Sequence, residues 1–443
     1  MPSKEDLKRK AAEIIDAKAD DLVTIAKTIL KNPEPGFREL KTAKLVAEQF
    51  AALGMQPRNG LAITGVRADA SGSAPGPTMA VLGELDSLIV GEHPHADPIT
   101  NAAHACGHHC QIAMMIGAAM ALTNDDIVQN LAGRIAFMAV PAEEYIEIEF
   151  RDGLRQAGKI EFLGGKPEMV RLGEFDDVHL AMMLHTTSNP AEQQICISNT
   201  NNGSVAKRIQ FIGRAAHAGG APHLGINALN AAMMAMTAIN FNRETFRDED
   251  SIRVHPIITK GGEAVSAVPA DVRMETFVRG RSLEALMDAN AKVDRAIRAG
   301  AMAVGADVKI QTIPGYMPLQ QHKGMAEIFR ANAVDLVGEA NVSYVNHRGG
   351  STDMGDISHL MPVIHPYIGG AVGLGHGATY VIEDYSLAVI KGAKALAYMV
   401  IDMLGDNASQ GNSIVGGQRP DMTIPEYLKF MRNLASEETF KGA

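Results

Sequence analysis

Apolar residues at helical spacing dominate the beginning of the chain. Between residues 4 and 30 they stand at Leu7, Ile14, Ile15, Leu22, Ile25 and Ile29. This spacing predicts an amphipathic helix. Pro33 and Pro35 end the pattern, because a proline disfavours helical backbone at the residue before it. A second helix is predicted over residues 40–53 and ends at Gly54.

Short apolar runs follow, and they have the length of buried strands. They lie near residues 61–68, 78–85, 134–140 and 178–184. An apolar helix is predicted between them, over residues 109–122. Strands that alternate with helices pack as a mainly parallel sheet covered by helices. This part of the chain therefore predicts an α/β fold.

The pattern changes after residue 200. A compact series of elements is predicted at residues 204–213, 225–241, 252–259, 270–278, 282–303 and 306–312. Their order is β-α-β-β-α-β, which is the ferredoxin-like arrangement. We therefore expect a small domain at residues 201–314, inserted into a larger, discontinuous domain of residues 1–200 and 315–443.

The last third of the chain is predicted to be mostly helical. Helices are expected over residues 324–338 and 383–404, with a shorter one over residues 425–435. A glycine-rich polar segment at residues 349–355 separates the first two.

Composition narrows the class of protein. The 443 residues are 46% hydrophobic and 21% charged, as in an ordinary globular protein. A net charge of −10 disfavours a nucleic-acid partner or an anionic membrane surface. The sequence shows neither an apolar run long enough to span a membrane nor an apolar leader segment. We therefore expect a cytoplasmic protein, and the odd, low cysteine count fits reduced thiols.

The segment from His104 to His109 concentrates metal-binding chemistry. It reads His-Ala-Cys-Gly-His-His, and thiolate and imidazole are the groups that zinc and similar divalent metals prefer. The alternative is a buried cysteine among loop histidines. The other two cysteines, Cys110 and Cys196, are expected to lie in the apolar core.

Further polar residues come directly after predicted strands. Asp86 follows the strand near 78–85, and His185 follows the strand near 178–184. Glu143 and Glu144 follow the strand near 134–140. Ligands bind at the carboxyl ends of strands in open α/β sheets, so one edge of the sheet is expected to collect these residues. Taken singly, Asp86 also fits a helix cap, and a lone histidine is often structural.

Several motifs together resemble the M20 family of metallopeptidases and amidohydrolases, in its aminoacylase-like branch. They occur in the family order over nearly the whole chain. The matching segments are Asn32-Pro-Glu-Pro-Gly-Phe-Arg-Glu39, Gly83-Glu-Leu-Asp86, His104-Ala-Cys-Gly-His108, Pro141-Ala-Glu-Glu144, His185, Gly213-Arg-Ala-Ala-His217 and Gly375-His376. The inserted domain resembles that family's lid, which commonly forms a dimer.

The resemblance implies a site for two divalent metals, zinc or manganese. Cys106 matches the ligand that bridges them. Four further residues match the terminal ligands: His108, Glu144, His185 and His376.

The resemblance also implies the residues that act on the substrate. Glu143 matches the general base, and Asp86 matches a carboxylate that orients a ligand histidine. His217, in the lid, matches a histidine that reaches a substrate carbonyl oxygen, often across the dimer interface.

Some positions depart from the family pattern or bear on specificity. The branch usually has Asp or Asn where this chain has His109, which could face the substrate. His93 and His95 add further imidazoles nearby. The polar loop with Ser351 and Thr352 resembles a segment of p-aminobenzoyl-glutamate hydrolase-like members, although a plain turn is the alternative.

Arginines in the lid are a further candidate for recognition. Arg273 and Arg279 stand near the ends of one lid strand. An arginine there could hold a substrate carboxylate with two hydrogen bonds, or it could be an ordinary surface charge.

Three functions remain open on the sequence. The first is a metal-dependent amidohydrolase that cleaves the C–N amide bond of an N-acyl amino acid, an aroyl-amino acid or a small dipeptide. The second uses the same site as a hydrolytic deaminase of a small aromatic amine and releases ammonia. The third is a binding protein without catalysis, which the complete ligand set disfavours. In each case the partner is a small molecule, and a homodimer through the lid is expected.

Overall fold

The structure is a computed structural model that describes residues 2–417 and 419–442. The chain divides into two compact units. The first comprises Met1–Asn199, Gln320–His347 and Asp356–Ile424, and the second comprises Thr200–Leu319, Arg348–Gly355 and Pro425–Ala443. The sequence-based division kept the inserted domain within residues 201–314. The structure also groups Arg348–Gly355 and the C-terminal segment with the second unit.

Helices and strands alternate through most of the chain. The α-helices are α1 (Lys4–Ala17), α2 (Ala19–Leu30), α3 (Leu40–Ala52), α4 (His108–Leu122), α5 (Asp125–Val128), α6 (Ile148–Gln156), α7 (Gly165–Arg171), α8 (Ala228–Phe241), α9 (Leu283–Val304), α10 (Lys323–Val337), α11 (Met354–Ser358), α12 (Gly392–Gly417) and α13 (Ile424–Leu434). The strands are β1 (Arg58–Leu61), β2 (Gly65–Ser71), β3 (Ala74–Glu84), β4 (Leu88–Ile89), β5 (Ala102–Ala103), β6 (Ala132–Val140), β7 (Leu180–Met183), β8 (His185–Thr186), β9 (Ile195–Asn201), β10 (Gly203–Ile212), β11 (Arg253–Val254), β12 (Ile257–Lys260), β13 (Asp271–Gly280), β14 (Asp307–Pro314), β15 (Leu319–Gln320), β16 (Val342–Arg348), β17 (Val363–Ile364), β18 (Tyr367–Ile368), β19 (Ala371–Val372), β20 (Val381–Ile382) and β21 (Ser436–Phe440).

The main sheet of the first unit has the order β1-β2-β6-β3-β7-β17. Strands β6, β3, β7 and β17 run parallel, and β1 and β2 form an antiparallel edge. The prediction of an α/β fold with a mainly parallel sheet is therefore confirmed. Because β3, β6 and β7 are neighbours, their carboxyl ends lie side by side at one edge.

Helix α4 occupies the centre of the first unit's core. Every residue of α4 except Met120 is buried, and the helix packs against α2, α12 and strand β3. Gly117 allows this close packing, since a Cβ there would lie 2.8 Å from both Ala393 Cβ and Leu22 Cδ1. The apolar sequence all round α4 follows from this central position.

Two predicted helices differ from the observed ones. Residues 4–30 form two helices, α1 and α2, because the backbone turns more tightly at Lys18, whose N–H donates to the Ile15 carbonyl at 3.1 Å. No proline or glycine marks this break, and the apolar spacing continues across it. The predicted helix 383–404 starts as a π-helical turn at Ser386–Lys391, and α12 leaves helical angles at Gly405–Ala408.

The second unit contains an antiparallel sheet with the order β11-β13-β10-β14-β21, and β12 also pairs with β13. Helices α8 and α9 pack against each other and on this sheet. The elements from β10 to β14 follow the predicted β-α-β-β-α-β order, except that the strand predicted at residues 252–259 is divided into β11 and β12, both of which pair with β13. The sequence reading missed β21, a short polar strand at the edge beside β14. Among the residues described, no helix has the length and apolar composition needed to cross a membrane.

Candidate metal centre

The carboxyl edge of the main sheet collects the polar residues predicted there. Asp86 follows β3, Glu143 and Glu144 follow β6, and His185 begins β8 just after β7. The turn before α4 adds Cys106 and His108 to the same edge. The structure thus brings together side chains that lie up to about a hundred residues apart in sequence.

Two groups of three donor atoms share the Cys106 thiol. One consists of Cys106, His108 and His185, and the other of Cys106, Glu144 and His376. In each group the donor atoms lie within 4.8 Å of one another. A shared sulfur between two donor groups is the arrangement expected of a ligand that bridges two cations.

The donor separations suit divalent cations. Cys106 Sγ lies 3.3 Å from His185 Nε2, and His376 Nε2 lies 3.4 Å from Glu144 Oε1. With bonds of about 2.0–2.3 Å to zinc, donors of a tetrahedral site are about 3.3–3.7 Å apart. Among the described residues, His108 Nε2 and Glu144 Oε1 are buried and make no hydrogen bond, although Glu84 Oε2 and His376 Nε2 lie at ion-pair distance from them. The residues present therefore fit a metal, and they leave metal-facing atoms that need a partner.

Hydrogen bonds on the outer side of the histidines fix their orientation. His108 Nδ1 lies 2.9 Å from the Asp86 carbonyl oxygen and 3.3 Å from Asp86 Oδ1. His185 Nδ1 lies 2.7 Å from the Thr186 carbonyl oxygen. In both rings Nδ1 is therefore used for the protein, and Nε2 faces the donor groups.

Asp86 links two candidate ligands. Its Oδ2 accepts a hydrogen bond from the Glu144 N–H at 2.9 Å, while its other carboxylate oxygen lies beside His108. The carboxylate is fully buried. Its contacts match those of a residue that orients ligands without binding the metal itself.

The turn at Gly107 presents Cys106 and His108 to the same edge. Gly107 has φ 92°, a left-handed conformation that side chains rarely adopt. A Cβ at Gly107 would also collide with the Thr186 hydroxyl and approach the Tyr380 hydroxyl. These two hydroxyls lie 2.7 Å apart and both donate to the Cys106 carbonyl oxygen at 3.2 Å. Glycine is therefore required at the centre of the His104–His109 segment.

His376 comes from a separate loop and is the most exposed candidate ligand. Its side chain is 58% exposed, whereas that of Glu144 is 8% exposed. Its backbone is left-handed, with φ 63°, and its N–H donates to the Ala105 carbonyl oxygen at 2.9 Å. Left-handed non-glycine residues are sparsely populated and often occur at functional sites. Here the conformation ties the loop to the segment that contains Cys106.

Glu143 lies beside both groups without belonging to either. Its carboxylate oxygen Oε2 is 4.0 Å from His108 Nε2, and the residue is 8% exposed. A third set of nearby donor atoms combines Glu143 with Glu84 and His108. Ala142, just before it, has φ 54°, so the backbone is again left-handed next to the site.

The site contains a buried ion pair that the sequence reading missed. Glu84 Oε1 accepts from Lys166 Nζ at 2.7 Å, and both side chains are 0% exposed. Glu84 Oε2 accepts from Gln111 Nε2 at 2.9 Å and lies 3.1 Å from His108 Nε2. Glu84 was visible in the Gly83-Glu-Leu-Asp86 motif as a carboxylate within an apolar strand. Such a residue needs a buried partner, but nothing near Lys166 in sequence marks it as that partner.

Charge within the cluster shifts the titration of its members. Burial favours the neutral forms, but Lys166 and His108 nevertheless hold the pKa of Glu84 below its ordinary value. In the same way Glu84 raises the pKa of His108 against the effect of burial. Burial and the neighbouring Glu144 raise the pKa of the Cys106 thiol. A cation that binds Cys106 must therefore displace its proton.

His365 is a second residue that the sequence reading missed. It follows β17, is 1% exposed, and stacks on His185 with ring centroids 5.8 Å apart. Burial, followed by the proximity of His185, lowers the pKa of His365 to about 3. The ring is therefore neutral near pH 7 and packs against the outer face of a candidate ligand.

The remaining predicted site residues are described within their own units. His109 is buried in the first turn of α4 and lines a separate cavity in the first unit. The others belong to the second unit, and their roles stay predictions: His217, Arg273, Arg279, Ser351 and Thr352. Thr352 Oγ1 accepts from the Met354 N–H at 3.2 Å, which is a local turn contact.

Comparisons with known proteins support the same class. The family profile described as "Peptidase dimerisation domain" (M20_dimer) matches residues 199–303. The chain is 28% identical to the Xaa-Arg dipeptidase of Mus musculus, over 90% of this chain and 89% of that protein. It is 26% identical to the N-acyl-L-amino acid amidohydrolase of Geobacillus stearothermophilus, over 72% and 81% of the two chains.

Solved structures show the same fold. A dinuclear metal-binding peptidase of the M20 family from Bacillus subtilis matches with a TM-score of 0.66 at 19% identity, over 88% of this chain and 99% of that one. A putative aminohydrolase from methicillin-resistant Staphylococcus aureus matches with a TM-score of 0.71 at 20% identity, over 89% and 100%. Fold, donor groups and relatives together define a metal-dependent amidohydrolase. These findings support the resemblance to the M20 family that the motifs indicated.

Proposed function

We propose that this protein hydrolyses the C–N amide bond of an N-acyl amino acid, an aroyl-amino acid or a small dipeptide. The observation that carries the proposal is the pair of donor groups that share Cys106, with Glu143 beside them. The relatives support the substrate class, since their names describe a dipeptidase and an N-acyl-amino acid amidohydrolase.

Two divalent cations, zinc or manganese, would be held by residues already close together. Cys106, His108 and His185 would hold one, and Cys106, Glu144 and His376 the other. When bound, such cations polarise a carbonyl group and lower the pKa of water towards about 7. Asp86 keeps His108 and Glu144 in position through the contacts described above.

Glu143 is the proposed general base. Its carboxylate oxygen Oε2 lies 4.0 Å from His108 Nε2, and the residue belongs to neither donor group that contains Cys106, which supports this role. It takes a proton from the attacking water and passes it to the leaving nitrogen. Acid–base catalysis of this kind contributes about 10²–10⁴-fold to a rate.

His217 is the proposed donor to the substrate carbonyl oxygen. Its Nδ1 accepts hydrogen bonds from the Gly219 N–H at 3.1 Å and the Gly220 N–H at 2.8 Å. In the neutral ring the proton is therefore on Nε2, which leaves an N–H free to donate. The negative charge that develops on a carbonyl oxygen during hydrolysis is stabilised by a donor of this kind.

Recognition of the amino-acid part is assigned to the second unit. Arg273 is exposed and lies 3.3 Å from Asp271, and Arg279 lies over the ring of Phe277 at 5.3 Å. Either guanidinium would bind a substrate carboxylate, together with hydroxyls of Ser351 and Thr352. A homodimer through residues 201–314 is part of this proposal, in line with the dimerisation profile at 199–303.

The substitution Glu143→Gln tests the proposed base. We expect normal metal content, normal folding and a fall in kcat of about 10²–10⁴-fold. Glu13→Gln, at an exposed position on α1, is the matched control and should behave as the parent protein. Activity that survives Glu143→Gln removes Glu143 from this role.

A substrate screen tests the reaction itself. Acyl-amino acids, dipeptides and aromatic amines are offered to the metal-loaded protein, and ammonia is assayed separately from amino acids. The proposal expects one free amino acid and one carboxylic acid or second amino acid per turnover. Ammonia release without a second organic product would instead favour the deaminase.

A further inference from the structure

A second polar cavity lies in the first unit, apart from the donor groups that share Cys106. Its volume is about 210 Å³. We call it the histidine cavity, and it is lined by Lys27, Leu30, Lys31, His93, His95, His104, His109, Tyr380, Val381, Ile382 and Tyr385. Neither the proposed catalysis nor the family comparisons give it a role.

Two buried imidazoles in the wall of this cavity lack hydrogen-bond partners. His104 is 2% exposed and His109 is 1% exposed, and their ring centroids are 5.2 Å apart. Among residues 2–417 and 419–442, none of their four ring nitrogens has a hydrogen-bond partner. Buried polar groups are nearly always paired, so these rings require a partner that enters the cavity.

His93 shows what a structural histidine looks like in the same wall. Its Nε2 lies 2.7 Å from the Tyr380 carbonyl oxygen, and its Nδ1 accepts from the His95 N–H at 3.1 Å. Both nitrogens of His93 are therefore occupied by the protein. The buried imidazole nitrogens of the described lining that lack a hydrogen-bond partner are therefore those of His104 and His109.

Charge favours an anion in this cavity. Lys27 and Lys31 line it from one end of α2, and both side chains are exposed. Neither lysine has an ion-pair partner in the described part of the chain, and no Asp or Glu belongs to the described lining. Lys27 Nζ lies 5.2 Å from the centroid of the Tyr385 ring. Two cations without a carboxylate attract anions and repel metal cations.

The donor geometry also disfavours a metal. The groups of three or more close donors found among residues 2–417 and 419–442 do not include His104 or His109. Apart from the lysines and histidines, the lining is apolar or aromatic, with Leu30, Val381 and Ile382 among its residues. At about 210 Å³ the cavity is also smaller than the roughly 300–1,000 Å³ that drug-sized ligands occupy.

We propose that the histidine cavity binds a small organic monocarboxylate with an apolar body. The N–H groups of His104 and His109 donate to the carboxylate oxygens, and Lys27 and Lys31 supply positive charge. The apolar body packs on the aliphatic and aromatic lining. The site is independent of the proposed amide hydrolysis, because its lining shares no residue with either donor group at Cys106.

Benzoate is a suitable probe for the full-length, metal-loaded protein. Titration calorimetry should show saturable binding, and the side-chain NMR signals of His104 and His109 should shift. Benzamide, which has the same shape without the charge, should bind at least about tenfold more weakly. The Cys106→Ala variant should retain benzoate binding, which separates this site from the metal centre.

Substitutions at the entrance keep the test independent of folding. Lys27→Ala/Lys31→Ala should weaken benzoate binding by about tenfold, since exposed lysines on a helix are replaced without loss of core packing. Lys10→Ala/Lys44→Ala, also on helix surfaces, is the matched control and should change nothing. His109→Phe should abolish binding.

Several results would overturn the proposal. These are no saturable benzoate binding, equal affinity for benzamide, or unchanged affinity after the double lysine substitution. Binding of zinc ions at His104 and His109 would replace the carboxylate by a metal. A crystal structure in benzoate that shows only ordered water in the cavity would assign those nitrogens to solvent.

Discussion

The segment from His104 to His109 places histidines in two different environments. His108 directs its Nε2 towards Glu84 at 3.1 Å and Glu144 at 3.9 Å. His104 and His109, at equal burial, line a cavity whose described wall contains no carboxylate. His104 and His109 stand on opposite sides of Gly107 in sequence, yet both line the same cavity.

The difference shows that neighbours, rather than residue type, decide the chemistry of an imidazole. Next to carboxylates and a thiol, a histidine joins a set of donors that can bind a cation. Next to lysines and apolar side chains, the same ring offers hydrogen bonds to an anion or to a neutral group. One short sequence therefore serves two kinds of site.

Removing the thiol of Cys106 should affect the metal centre and leave the histidine cavity unchanged. Cys106 belongs to both donor groups, so Cys106→Ala is expected to abolish binding of both ions and with it activity. His376 belongs to one group, so His376→Ala should lose one ion and retain the other. Metal analysis of the purified variants, with amide hydrolysis measured in parallel, checks both expectations.

The matched control for that experiment is a cysteine of the apolar core. Cys196 is fully buried and belongs to neither donor group. Cys196→Ala should keep the metal content of the parent protein. An unchanged metal content in Cys106→Ala would show that the thiol does not bridge the ions.

The buried ion pair between Glu84 and Lys166, next to His108, should make a measurable contribution to the free energy of unfolding. Lys166→Met leaves Glu84 buried without its cation, and breaking a buried pair costs about 3–5 kcal/mol of unfolding free energy. Replacing both residues, with Glu84→Gln/Lys166→Met, should recover much of this loss because no buried charge remains. Urea unfolding of the metal-free proteins, followed by circular dichroism, measures the difference.

Two outcomes would contradict that account of the pair. A cost below about 1 kcal/mol for Lys166→Met would mean that water or another group already compensates Glu84. A double variant less stable than Lys166→Met would mean that the carboxylate contributes through Gln111 or His108 rather than through the lysine.

Much of the fold could be predicted because local patterns and global packing agree. Apolar strands that alternate with helices predicted the main sheet. The carboxyl ends of its strands then predicted where Asp86, Glu144 and His185 lie. Cys106 and His108 were found because their residue types are unusual at such short spacing. These features depend on residues near each other in sequence, or on a general rule of sheet topology.

The missed features depend on contacts between distant segments. Lys166 matters only because it meets Glu84, which is separated from it by 82 positions. The sequence analysis suggested that His109 could face the substrate, whereas the structure places it in the lining of the histidine cavity. The break at Lys18 is an exception because it is local, but it involves no proline or glycine that would have marked it. The spacing of apolar residues along the sequence does not show towards which site each of two adjacent side chains points.

Two buried glutamates, Glu39 and Glu84, also lie in different environments. Glu39 accepts hydrogen bonds from the Thr64 hydroxyl at 2.6 Å and the Ala142 N–H at 2.8 Å. Burial and the charge of Asp86 raise the pKa of Glu39 to about 7. Glu84, equally buried but paired with Lys166, has its pKa shifted in the opposite direction.

The raised pKa of Glu39 predicts how stability depends on pH. Folded protein binds this proton more tightly than unfolded chain, whose glutamate has an ordinary pKa of 4.5. The stabilising contribution is therefore full below pH 4.5 and is lost as pH rises through about 7. Glu39→Gln should remove this dependence, so that its stability relative to the parent improves by about 2–3 kcal/mol between pH 4.5 and 8.

Unfolding of metal-free protein at several pH values measures this effect, and it is the smallest of the three. Glu13→Gln, exposed on α1, is the control and should keep the parent's slope. A glutamine at position 39 can still accept from Ala142, so the site remains filled and hydrogen-bonded. If the slope is unchanged in Glu39→Gln, the carboxylate titrates near its ordinary pKa, and the charge of Asp86 does not reach it. In that case the charges at this edge of the sheet act only over direct contacts, such as Glu84 with Lys166.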